Sequence, residues 1–142
     1  MQYDTCVEIT VEPVGTPMVR IQVGKQQVET QLDKKSTFKF DSALAAGILP
    51  IAVEMFNKGN TDSTTAVIIN SIKLNGIEDL KFIWAGTYCP IYPEPWASTQ
   101  TDLKEIIEAT NYLGWNGRWE LSTTIPIFTW IHQIRGLGWI VE

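Results

Sequence analysis

The sequence predicts an all-β protein: an antiparallel jelly-roll-like β-sandwich with an irregular Trp- and Pro-rich C-terminal extension and at most one short helix. Three observations carry that expectation. Short stretches of alternating apolar and polar residues recur through the first half, turn residues punctuate them, and all six tryptophans fall between Trp84 and Trp139.

Cys6–Val11 opens the series, with Val7, Ile9 and Val11 on one face and Glu8 and Thr10 on the other. Pro13 to Pro17 interrupts it, and Val19–Val23 repeats it with Arg20 and Gln22 outward. Gly24-Lys25 reads as a hairpin turn into Gln27–Leu32, and Asp33–Ser36 turns the chain into Thr37–Phe40. Asp41–Gly47 is either one helical turn or a loop closing on Gly47. Ile48–Phe56 is long and apolar, as a central strand should be, and the polar stretch Asn57–Thr65 must be an exposed loop. Ala66–Leu74 forms a further strand ending at the turn pair Asn75-Gly76, and Leu80–Trp84 continues the sheet.

Beyond Trp84, Ala85–Ser98 is irregular and rich in proline and aromatics. Asp102-Leu-Lys-Glu105 has the form of a capping box, predicting a short helix to about Ala109. Arg118–Thr124 and Ile127–Ile134 are read as strands broken by Pro126, and Trp139–Val141 closes the chain. The 142 residues suit a single domain (1–142), with 1–84 as the β-sandwich scaffold and 85–142 as an aromatic-rich region completing it.

Composition narrows function. The net charge of -5 and the scatter of basic residues remove the usual basis for binding nucleic acid. No apolar run is long enough for membrane insertion, and MQYDTCVEIT lacks the basic start and apolar block of a signal peptide. Cys6 and Cys89 form no disulfide framework, so two free, buried thiols are expected. His132, the single histidine, is a packed or rim residue, and the carboxylates show no spacing that marks an acid and a base. No enzyme is expected.

Two groups of aromatics draw attention. Trp84, Tyr88, Tyr92 and Trp96 could cap the core, form a protein interface, or stack on sugar rings. Trp115, Trp119, Trp130 and Trp139 are read as packing or interface anchors, the Asn116-Gly117 turn bringing the first two close. The loop from Asn57 to Asp62 carries oxygen donors at short spacing, so Asn57 and Asp62 are candidate ligands for calcium, the one cofactor considered.

Val19–Gly24, Thr37–Asp41, Gly47–Asn57 and Ile68–Ile77 together resemble the calcium-dependent xylan-binding type of carbohydrate-binding module. That resemblance implies a sandwich whose loop after the Phe56-Asn57 pair holds metal and sugar. Here Lys58 follows, where the family places Asp, so only Asn57 and Asp62 carry over. The chain, with Tyr112–Gly117 and Pro126–Ile134, also resembles small β-sandwich proteins of tailed bacteriophages. The expectation is therefore a non-enzymatic virion structural protein, for capsid decoration or a tail or fibre, partnered by other virion proteins or copies of itself. The alternative is a calcium-assisted polysaccharide-binding module, extracellular and directed at cell-surface or plant-type glycans.

Overall fold

Alternation becomes pairing in the computed structural model, which describes residues 1–59 and 61–135. Eleven strands are seen among these residues: β1 (Tyr3–Val14), β2 (Met18–Val23), β3 (Gln26–Gln31), β4 (Ser36–Leu44), β5 (Gly47–Phe56), β6 (Ala66–Leu74), β7 (Ile77–Glu78), β8 (Thr87–Pro90), β9 (Ile107–Glu108), β10 (Tyr112–Leu113) and β11 (Gly117–Ile125). They form two sheets. One runs β10-β6-β1-β4, with β7 also on β6; the other runs β3-β2-β5-β11-β8-β9.

The inward residues of both sheets make one core. In β1 these are Val7, Ile9 and Val11; in β5, Leu49, Ile51, Val53 and Met55; in β11, Trp119, Leu121 and Ile125, all buried. Period-two burial of this kind fixes register, because a one-residue slip would turn every apolar side chain to solvent. β6 breaks the period: Val67 and Ile69 are buried, then Ile72 and Leu74. A bulge explains it, since Thr10 faces Ser71 but Val11 faces Ile69, leaving Asn70 as the extra residue. On the outer face of the larger sheet, Glu54 accepts from Arg20 at 2.8 Å and pairs with Arg118 at 3.6 Å.

The structure departs from the sequence reading in several places. Asp41–Leu44 continues β4 rather than turning, pairing as far as Tyr3 opposite Leu44. Leu80–Trp84 is a short helix, α1, not a strand; Asp79 caps it by accepting from the Lys81 amide at 2.9 Å. Ile127–Ile134 is a second helix, α2, with Ile127, Trp130 and Ile131 buried. The two helices are tied together: Phe82 and Trp130 pack with ring centroids 5.5 Å apart, and Arg135 pairs with Asp79 at 2.9 Å. By contrast, 102–109 is not helical. Ile107–Glu108 joins the sheet edge as β9, opposite Thr87 and Tyr88, and Ile106 is exposed. About two turns with so thin an apolar face cannot offset helix nucleation, and sheet pairing takes their place. Both cysteines are free, but neither is fully buried: Cys6 is half-buried and Cys89 exposed. Burial, then a hydrogen bond with Asp41, raises the Cys6 thiol pKa. Among the described residues no helix is long and apolar enough to cross a membrane.

Candidate functional site

Three chain segments meet at one end of the sandwich: the loop from Asn57 to Thr65 joining β5 to β6, residues 91–99 after β8, and residues 114–116 before β11. Their junction lines a cavity of about 260 Å³, bounded by Lys58, Asp62, Tyr92, Glu94, Trp115 and Asn116 among others.

Tyr92 and Trp115 line the cavity, and Trp96 packs against both from beside it. The Trp96 and Trp115 rings are stacked, 25° apart with centroids at 6.3 Å, and Tyr92 meets Trp115 edge-on at 4.9 Å. Each ring has a cause for its position. Tyr92 donates to the Lys104 carbonyl at 2.6 Å, and burial raises its pKa. Trp96 starts a 3₁₀ turn (Trp96–Thr99) held by Glu94, whose carboxylate accepts from the Ser98 amide at 2.8 Å and hydroxyl at 2.5 Å. Trp115 is held from below by Tyr88, whose hydroxyl accepts from the Trp115 amide at 3.0 Å and donates to its carbonyl.

Gly117 then lets the chain enter β11. Its φ of +153° suits glycine, and a Cβ there would overlap the Cys89 carbonyl. Two residues further on, Trp119 is fully buried, and Gly86 leaves the space its indole fills. Asn116-Gly117 is thus a bend running into β11, not a hairpin turn, and it leaves Trp115 at the cavity and Trp119 in the core.

Polar groups fasten the loops to each other. The Asn116 side-chain amide pairs with the Lys58 backbone in both directions, each hydrogen bond 2.9 Å. The Lys58 ammonium donates to the Thr65 carbonyl at 2.8 Å and the Gly114 carbonyl at 2.6 Å. Asp62 accepts from the Thr64 and Thr65 amides, both at 3.0 Å, and from the Thr65 hydroxyl. Those bonds, the Thr65 hydroxyl first, hold its carboxyl far below the usual carboxylate range.

The eight tryptophans and tyrosines singled out in the sequence thus divide. Tyr92 lines the cavity with Trp96 packed against it, and Trp115 joins them from the group read as anchors. Tyr88 is fully buried and offers no ring face to a ligand. Trp84 lies away from the cavity, beside Lys81, Ala85 and Ile134. Trp119 and Trp130 are in the core, and Trp139 lies outside the described residues. Sequence reasoning missed Lys58, Glu94 and Asn116 as parts of the site. A lysine inside the polar 57–65 loop was the available signal.

The fold is that of a carbohydrate-binding-module sandwich. Two solved structures carry that comparison, both of vCBM60. The first, in complex with galactobiose, superposes with a TM-score of 0.52 at 18% identity, covering 82% of this chain and 95% of the other. The second is the selenomethionine form, from work linking two families of calcium-dependent carbohydrate-binding modules by circular permutation. Its TM-score is 0.53 at 17% identity, over 82% and 89% of the respective chains. No family model and no curated protein matches the sequence.

A calcium ion does not fit the donors that the described residues of this loop end present. Calcium takes six to eight oxygens, several of them carboxylate. Asn57 is exposed and occupies a left-handed conformation at φ 62°, where it serves the turn leaving β5. Asp62 is turned into its own loop. Glu54 faces outward to its arginines, and Asp79 caps α1 and pairs with Arg135. Among the described residues, no three His, Cys, Asp or Glu side chains are grouped to hold a metal.

Proposed function

We propose that this chain is a non-catalytic glycan-binding module whose ligand lies on the Tyr92–Trp96–Trp115 cluster at the loop end of the sandwich. The observation that carries the reading is the stacked tryptophan pair beside a cavity walled by hydrogen-bonded polar loops. Aromatic faces receive the apolar C–H side of a sugar ring, and convergent polar groups receive hydroxyls. A volume of about 260 Å³ falls below the ~300–1,000 Å³ of typical small-molecule pockets. It suits one unit of a longer chain, the remainder lying across the exposed Trp96. The galactobiose bound to vCBM60 supports a saccharide as ligand class.

The virion reading has less behind it. Trp119 and Trp130, read as packing or interface anchors, are enclosed within their own chain, which fits packing and leaves neither ring for a contact between copies. Neither structural neighbour is described as a virion component.

The test is retardation of the purified chain in native gels containing neutral polysaccharides such as galactan, xylan and β-glucan. Binding to at least one, weakened by Trp96→Ala, is the expected result. No retardation by any, with oligomers on light scattering, would return the assembly reading to first place.

A further inference from the structure

A cation is present at this loop end, and it belongs to the protein. The Lys58 side chain leaves the start of the β5–β6 loop and places its ammonium against two backbone carbonyls from different segments, Thr65 at 2.8 Å and Gly114 at 2.6 Å. Thr65 adjoins the start of β6, and Gly114 lies in the turn that carries Trp115. One ammonium thereby ties the polar loop to the aromatic wall. The Lys58 backbone is clamped to Asn116 as well, so the side chain is anchored at its root.

We infer that the Lys58 ammonium takes the place of a metal ion in this site, so that the module binds a neutral glycan without calcium. Two carbonyls from different loops are too few for a calcium ion, which takes six to eight oxygens, but they suit a tethered ammonium, which meets both with N–H donors. A lysine has three N–H donors. Two are engaged by carbonyls, which leaves the third for a further acceptor such as a sugar hydroxyl, and Lys58 is among the residues lining the cavity. Asp62 and Glu94 line the same cavity. Two carboxylates beside one ammonium leave no net positive charge for a uronic acid, which favours neutral sugars.

This inference rests on the glycan-binding reading for its ligand, but its metal half is testable alone. Calcium chloride titrated into the unaltered, metal-stripped chain is expected to give no saturable heat and no change in melting temperature. Saturable binding that raises the melting temperature would overturn the inference, whether or not any glycan binds. Lys58→Met is expected to lower the melting temperature by roughly 5 °C, since two carbonyls lose their donor; an unchanged value would remove Lys58 from the cation role. If that variant does not fold, calcium titration of the unaltered chain still decides. With the polysaccharide found by gel retardation, affinity is expected to be equal in EDTA and in calcium. Loss of binding in EDTA would also overturn the proposal, while failure of every polysaccharide would count against the glycan reading only.

Discussion

The aromatic residues of this chain are used in two regions for two purposes. Phe82, Tyr88, Trp119 and Trp130 are buried and hold the helices and β8 to the sandwich. Tyr92, Trp96 and Trp115 gather at the loop end, where their faces are partly open. Tyr88 connects the regions, because its ring is in the core and its hydroxyl fixes the Trp115 backbone. Exposure alone does not separate them from the remaining surface: Trp84 and Trp96 are 42% and 41% exposed. What distinguishes Trp96 is its company, a stacked ring and a polar cavity.

Substitutions can break that comparison. The largest effect is expected from Trp119→Ala, which should cost ~3–5 kcal/mol in urea unfolding, because it empties the centre of the core. A cost below about 1 kcal/mol would show that β11 is not held as described. Next is Trp96→Ala, expected to weaken glycan affinity by about thirty-fold while stability changes by less than ~1 kcal/mol. Equal losses of affinity and stability would merge the two regions into one. Trp84→Ala should change neither by more than about 0.5 kcal/mol; weakened binding would move the ligand to the α1 flank.

Acid sharpens the loop side of the comparison. The Asp62 pKa is depressed in the folded state, so the order it gives the loop is fully present above its unfolded value of about 3.9. That order is lost only as pH falls further, toward the depressed folded value. The Thr64 and Thr65 amide resonances should therefore stay in place down to about pH 4. Movement near pH 5 would mean that the carboxylate is not engaged in its turn.

Much of the sandwich was legible because period two is a strong constraint. β1, β2, β5, β6 and β11 could each be read from apolar alternation or continuous apolar character. α2 was legible too, and misread. Ile127, Trp130, Ile131 and Ile134 stand at helical spacing, but β-branched and aromatic composition argued for a strand. α1 was hidden by its brevity, with only the Asp79 cap as a sign. At 102–109 a local capping pattern lost to strand pairing with β8, a partner no local pattern can announce.

The site was harder to read. Tyr92 and Trp96 were grouped by their neighbourhood in the chain and do pack together, yet Trp115 joins them through the sheet, from a segment read as an anchor. Asp62 was noticed as a carboxylate in a polar loop, but nothing in the sequence says that its oxygens close on Thr64 and Thr65. Lys58 registered only as a departure from a resemblance. Its role depends on carbonyls brought together by folding, and a sequence does not display backbone direction.

The position of β11 has a consequence for synthesis. This strand pairs along its whole length with β5 and is the link between β5 and β8. As the chain emerges from the ribosome, the apolar edge of β5 must wait, unpaired, until residues 117–125 have been made. Such an edge invites pairing with other chains. Folding of the larger sheet is therefore held back until β11 has been made, and nascent chains halted before Gly117 should aggregate or recruit chaperones.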